Sequence, residues 1–345
     1  MSVRITSLSD LAALGFDDII DARSPSEYAE DRIPGAISLP VLNDEERAQV
    51  GTIYVQEDPF KARKIGAALV ARNAATHIQG PLADREGGWK PLVYCWRGGQ
   101  RSNSFASILS QIGWRADVIE GGYRTYRRIV VDMLHRAPLP HRLMLIDGGT
   151  GTAKTRLLHH IAAAGGQVLD LEGLASHRGS LFGMVGEEQP SQKAFESGIA
   201  MALTRLDPAR VTFVEAESSK VGDLLVPPSL WKAMLASPYV EVTAPIAARA
   251  EHLVTSYPDI VDDADRLART LDRLVKYHGR EVVGGWHELA QDGNWAGLAH
   301  QLVETHYDPR YKRIRREAEP ERVLDLADLT DATLAEAAKT LVASV

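Results

Sequence analysis

Short apolar runs of strand length recur along the chain, and most lead through a turn into apolar residues at helical spacing. In the first part the runs fall at residues 17–22, 33–40 and 91–94. Ser24-Pro25 predicts a sharp turn after the first run, because proline disfavours helix in the residue before it. Ile33-Pro34-Gly35-Ala36 reads as a turn into a strand that Pro40 stops. Asn43, with Asp44, Glu45 and Glu46 behind it, predicts a capped helix with acids in its first turn. Residues 59–77 carry a long helical pattern, Phe105, Ile108, Leu109 and Ile112 mark another helix face, and 116–120 reads as a strand. In the second part strands are predicted at 142–147, 168–172, 211–215, 239–243 and 322–328. Helices are predicted from Arg156, over 246–305 and from about Thr330. Strands alternating with helices predict an α/β fold with mostly parallel sheets. The Pro-rich polar stretch 135–141 predicts a boundary, with domains at 1–137 and 141–345 and a helical insertion at about 246–306.

Composition narrows the classes. A length of 345 residues suits two domains, and 45% hydrophobic content suffices for their cores. The net charge of −7 gives no whole-chain basic signature, so any nucleic acid would need a local basic patch. A single cysteine excludes a disulfide framework and fits a reducing compartment. No apolar run reaches membrane-spanning length and the first residues lack a signal-peptide core, so a cytoplasmic protein without a membrane partner is expected. The histidines lack metal-ligand spacing, and no tightly bound cofactor is expected.

Two stretches carry chemistry. In Tyr94-Cys95-Trp96-Arg97-Gly98-Gly99-Gln100-Arg101-Ser102 the cysteine ends a strand, and a glycine loop leads into a helix. Such a loop can turn its backbone N–H groups inward as an anion nest, and the helix N-terminus adds positive potential. Arg97 and Arg101 beside Cys95 favour the thiolate, the reactive form of the side chain. In Gly148-Gly149-Thr150-Gly151-Thr152-Ala153-Lys154-Thr155, strand, Gly-rich loop, Lys-Thr and helix follow in P-loop order. Its N–H groups would cradle a diphosphate, Lys154 would neutralise it and Thr155 could hold Mg²⁺. Ala153 stands where the motif has glycine before the lysine, and an alanine there calls for a right-handed backbone. Around this loop the candidates are Glu172, His177, Arg178 and Arg249, with Glu215 and Glu217 as either acids for a metal-bound water or a solvated strand end. Arg310-Tyr311-Lys312-Arg313-Ile314-Arg315-Arg316 is either an exposed helix face or a contact to an RNA backbone with aromatics for unstacked bases.

The segment Asp21-Ala22-Arg23-Ser24-Pro25-Ser26-Glu27-Tyr28, then Ile33-Pro34-Gly35-Ala36 and the Cys95 loop, resembles a rhodanese domain. The spacing from Cys95 to Arg101 is one residue longer than in the usual sulfur-transferring loop, and a wider nest would suit a tetrahedral phosphate-like anion. With Gly121-Gly122-Tyr123-Arg124, the P-loop, the run Leu171-Glu172-Gly173-Leu174-Ala175-Ser176-His177-Arg178-Gly179-Ser180, then Glu215-Ala216-Glu217-Ser218 and His306-Tyr307-Asp308-Pro309, the series resembles the bacterial tRNA 2-selenouridine synthases along nearly the whole chain.

That resemblance implies an N-terminal rhodanese-like parallel-sheet domain followed by a P-loop NTPase-like α/β domain with a helical extension. It implies a transferase whose substrate is wobble 2-thiouridine in a tRNA anticodon loop. The sulfur is first geranylated from geranyl diphosphate, and the geranylated sulfur is then replaced by selenium from selenophosphate. On this reading residues 148–155 hold geranyl diphosphate, Cys95 accepts selenium, Arg97 and Arg101 bind selenophosphate, and Arg310, Tyr311, Lys312 and Arg313 touch tRNA. The competing expectations are a rhodanese-type sulfurtransferase fused to an ATP-hydrolysing P-loop module, and a redox-sensing regulatory module.

Overall fold

The computed structural model of the chain describes residues 2–179, 182–183, 188–314 and 318–345. It divides into two compact units, residues 1–138 with 190–205, and residues 139–189 with 206–345. Among the described residues no helix is long and apolar enough to cross a membrane.

In the first unit β1 (Ser2–Val3), β2 (Asp18–Asp21), β3 (Ile37–Ser38), β4 (Pro91–Tyr94) and β5 (Asp117–Ile119) make one parallel sheet in the order β1-β5-β4-β2-β3. β4 is buried along its whole length, which is why it reads as an unbroken apolar run. Ile20 and Val93 pair across β2 and β4 and pack with Phe105, Leu109, Trp89 and Trp114 in the core. The turn expected at Ser24-Pro25 is a helix start: Pro25 opens helix Pro25–Glu30, where its missing N–H has no partner to lose, and Ser24 and Glu27 form a capping box. Asn43 caps helix Asp44–Gln56 as expected, accepting from the Glu46 N–H at 2.7 Å. Helix Gln192–Thr204 groups with this unit despite its place in the sequence. Glu196 on it pairs with Arg127, and Lys193 pairs with Glu30.

In the second unit β6 (Arg142–Asp147), β7 (Gln167–Leu169) and β8 (Val211–Glu215) precede a short antiparallel pair, β9 (Lys220–Val221) and β10 (Leu224–Leu225). β11 (Tyr239–Thr243) and β12 (Arg322–Asp325) complete a parallel sheet ordered β12-β11-β6-β8-β7. The order reverses at β6, and the crevice beyond its carboxyl end is where ligands bind in open α/β sheets. Helices Lys154–Ala163 and Asp331–Val342 cover this sheet through Leu157, Ile161, Leu334 and Leu341. A separate apolar cluster, including Leu267, Leu271, Trp286, Leu298 and Leu302, holds the helical extension together.

The strands placed at 17–22, 33–40 and 116–120 shorten to Asp18–Asp21, Ile37–Ser38 and Asp117–Ile119, and two in the second unit shorten as well. The one placed at 168–172 ends at Leu169, because Asp170 accepts the Gly173 N–H at 2.6 Å and starts helix Leu171–Ala175. The one placed at 322–328 ends at Asp325.

Candidate functional site

Cys95 lies just beyond the carboxyl end of β4, 3% exposed, and helix Gln100–Ile112 begins five residues later. Its sulfur is 3.1 Å from the Ser102 hydroxyl and 4.0 Å from the Gly99 carbonyl. None of the backbone N–H groups from Trp96 to Arg101 is spent on a backbone carbonyl among the described residues. The loop therefore keeps the donors an anion nest requires. It is clamped from below. The Cys95 carbonyl accepts from Tyr123 N at 2.8 Å, the Trp96 carbonyl from Arg124 N at 3.1 Å, and the Trp96 ring stacks on Tyr123 at 5.2 Å. Gly122, at φ 57°, has no room for a side chain, since a Cβ would overlap the Cys95 carbonyl oxygen. That approach explains the Gly121-Gly122-Tyr123-Arg124 run.

A buried polar network underlies the clamp. Arg23 donates to Asp21 at 2.6 Å and to the Asp31 carbonyl at 2.5 Å, and lies 4.1 Å over Tyr123. Tyr123 in turn donates to Asp31 at 2.6 Å. Arg101 is 2.7 Å from Glu27, which Arg47 also reaches at 3.1 Å. Burial pushes Glu27 up, but Arg101, the Ser24 N–H and Arg47 outweigh it and hold the carboxyl below the usual range. Arg97 is exposed on the loop.

The second candidate site opens at the end of β6. Gly148 and Gly151 have φ of 154° and 83°. Ala153 does not take the right-handed backbone expected of it: at φ 60° and ψ 33° it is left-handed. The loop needs that conformation to enter the Lys154 helix, and alanine takes it at a cost of roughly 1–2 kcal/mol. Lys154 is the first residue of its helix, with Nζ donating to the Gly148 carbonyl at 2.9 Å. Thr155 donates to Glu172 at 2.7 Å, and Thr152 to the Gly149 carbonyl at 2.9 Å.

Residues 150–156 and Glu172 line a cavity of about 450 Å³ together with Arg178, Glu217, His252, His306 and Arg310. Burial, then Glu172, with which it shares a hydrogen bond, pushes Glu217 up to about 8, and Lys154 pulls it down. Glu215 is wholly buried beside Asp170 and Glu172, which drives it well above the carboxylate range. One of its oxygens accepts from Leu171 N at 3.2 Å, and the other has no hydrogen-bond partner among the described residues. His252 and His306 are each held down to about 4, first by burial and then by neighbouring cations. Both imidazoles are therefore neutral at physiological pH.

The raised Glu217 has a measurable consequence. The folded state keeps a proton that the unfolded chain gives up above its ordinary value of 4.5. Its own contribution to stability therefore falls as pH rises from about 4.5 to about 8 and levels off above, while the lowered His252 and His306 contribute in the opposite sense between about 4 and 6.5. Glu217→Gln should flatten that fall in denaturant titrations across this range. An unchanged pH slope would show that the carboxyl is not the group responsible.

The remaining candidates divide by what they touch. Arg249 is buried and serves as a clamp, donating to the Thr150 carbonyl at 2.7 and 2.9 Å and to Asp308 at 2.6 and 3.0 Å. It ties the P-loop to the His306-Tyr307-Asp308-Pro309 run. His177 supports its own turn, accepting from Gly179 N at 3.0 Å, while Arg178 pairs with Asp259 at 2.9 Å over the Tyr257 ring. Tyr311 turns inward and donates to Asp147 at 3.2 Å, and Arg310 sits 4.4 Å from the Tyr277 ring. Lys312 and Arg313 are on helix Asp308–Ile314, while Ser180, Arg315 and Arg316 lie outside the described residues. Sequence reasoning missed His252, Ser256 and Tyr257 as cavity walls.

Comparison with known proteins covers both units. Residues 6–128 match the model of the rhodanese-like domain, and residues 141–282 match the model of the tRNA 2-selenouridine synthase AAA domain. A tRNA 2-selenouridine synthase of Hahella chejuensis is 36% identical over 325 residues, covering 85% of this chain and 84% of that protein. Proteins of the same name from Aeromonas salmonicida and Nitrosomonas europaea are 37% and 36% identical, each over 72% of this chain. Those two alignments span 67% and 66% of the relatives' own lengths.

Proposed function

This chain belongs to the tRNA 2-selenouridine synthase family, and on that footing we propose that it makes 2-selenouridine in tRNA in two steps, each served by its own anion-binding loop. In the first, the sulfur of 2-thiouridine attacks C1 of geranyl diphosphate, the C–O bond breaks, the diphosphate departs with the bonding pair, and the N3 proton of the base is lost to water. Lys154 and the N-terminus of its helix stabilise the departing charge. Thr155 and the Glu172–Glu217 pair offer the oxygen-only donors that Mg²⁺ prefers, the rest of its shell coming from phosphate oxygens and water. Among the described residues no group of three or more His, Cys, Asp or Glu side chains could hold a metal, so the substrate's phosphates would be needed to complete the site. Bound there, Mg²⁺ would neutralise the diphosphate.

In the second step selenophosphate occupies the Cys95 loop, its phosphate held by the loop N–H groups and the Arg97 and Arg101 side chains. Moving selenide onto the Cys95 sulfur would require an oxidant. Attack of that sulfur at phosphorus requires none. It releases selenide with the Se–P bonding pair and leaves a phosphocysteine that water clears to thiol and phosphate. Selenide then adds to C2 of the base, and the geranyl thiolate leaves. A thiocarbonyl sulfur is a poor leaving group and an alkylated one a good one, which accounts for the order of steps.

The observation that carries this reading is the presence of two phosphate-suited loops, one at the thiol and one at Lys154, each beyond the carboxyl end of an inner strand of a parallel sheet. Mass spectrometry of nucleosides tests it. Thiolated tRNA with geranyl diphosphate should yield S-geranyl-2-thiouridine, and added selenophosphate should convert this to 2-selenouridine. ATP hydrolysis with neither product would overturn the proposal.

A further inference from the structure

Beside the polar P-loop cavity the second unit holds a smaller cleft whose walls are almost wholly carbon. It is cut into the helical extension, between Phe182, Leu253, Ile260, Trp295, Ala299 and Leu302. The two spaces adjoin, for Thr150, Leu253, Tyr257 and Tyr307 line both. A ligand with its anion on the Lys154 loop would have hydrocarbon walls across that shared boundary. A nucleobase would find few polar partners there, whereas a hydrocarbon chain needs none.

We infer that this cleft receives the hydrocarbon tail of the prenyl diphosphate and sets how long that tail can be. The inference rests on the proposed geranyl transfer and assigns the tail a place. The cleft measures about 80 Å³, room for roughly five to eight water-sized groups. That holds the outer isoprene unit of a geranyl chain, with the inner unit passing the shared wall at Leu253 and Tyr257. A farnesyl chain, one isoprene unit longer, overfills it. Leu267, Leu298 and Leu302 line the cleft and belong to the apolar cluster of the helical extension, so these walls are packed side chains with limited freedom to yield.

Equilibrium binding to the full chain tests this with geranyl diphosphate, farnesyl diphosphate, dimethylallyl diphosphate and inorganic diphosphate. Ala299→Phe puts a ring where the outer isoprene unit would lie. It should bind geranyl diphosphate about 100-fold more weakly, the loss expected when several buried methylene-sized groups are displaced. Inorganic diphosphate and the shorter dimethylallyl diphosphate should bind within about twofold of wild type, which also shows that the variant is folded. Trp295→Ala should improve farnesyl diphosphate relative to geranyl diphosphate. If Ala299→Phe binds geranyl diphosphate as the wild type does, the tail lies elsewhere and the inference falls. If the wild type transfers no geranyl group, or binds geranyl diphosphate equally well after Lys154→Ala, the parent proposal fails instead.

Discussion

With Cys95→Ala, thiolated tRNA should still be geranylated at the wild-type rate and the geranylated form should accumulate, while selenium incorporation is expected to fall on the order of 10³-fold or more. The reason is the placing of the sulfur. It sits at the floor of the loop, and no other thiol exists in the chain to replace it. The substitution removes only the sulfur, and the supports of the loop are backbone contacts from Tyr123 and Arg124 that alanine leaves in place. Ser102 keeps its bond to the Gly99 carbonyl at 3.2 Å. Loss of activity would therefore report lost chemistry, not a collapsed loop. Cys95→Ser is the sharper control, because it retains a hydroxyl partner for Ser102 and still lacks the nucleophile. Nucleoside mass spectrometry on geranylated tRNA supplied with selenophosphate reads the result directly. Selenation of that tRNA by either variant at the wild-type rate would make the thiol dispensable.

Much of this arrangement is legible in the chain because its causes are local. Parallel strands buried on both faces read as continuous apolar runs, and β4, β6 and β8 fall where such runs predict. Asn43 announces its helix because capping is settled within four residues. The P-loop is legible because Lys154 and Thr155 follow a strand and open a helix. What escapes is set at long range or by conflict between levels. Gly122 looks like any loop glycine until the Cys95 carbonyl is placed against it. Ala153 obeys the loop over its own preference. Asp170 shortens a strand because its side chain finds a nearby N–H. Arg249 stands out in the sequence as a candidate near the P-loop, but nothing local tells that it is buried and joined to Asp308, 59 residues away. The apolar cleft is the extreme case, since its walls come from several helices whose residues read one by one as ordinary core.

Lys154→Ala should reverse the phenotype of the cysteine variants. Geranylation of thiolated tRNA is expected to fall by about 10²–10³-fold, the loss typical of removing one preorganised group that stabilises developing charge. Selenation of tRNA already carrying the geranyl group should proceed normally, because that step uses the Cys95 loop. The ammonium rests on the Gly148 carbonyl at 2.9 Å, a contact a diphosphate oxygen would replace when the ligand arrives. A second readout separates this role from a structural one. Lys154 pulls Glu217 down towards about 8, so its removal should move the Glu217 titration higher, and the pH-dependent fall in stability should extend further into the alkaline range. Lys154→Arg keeps the charge and should hold that titration near its wild-type position while restoring only part of the transfer, since a planar guanidinium fits the loop less well than a point charge. Equal loss of both chemical steps in Lys154→Ala, with its stability profile unchanged, would show that the two loops do not divide the reaction between them.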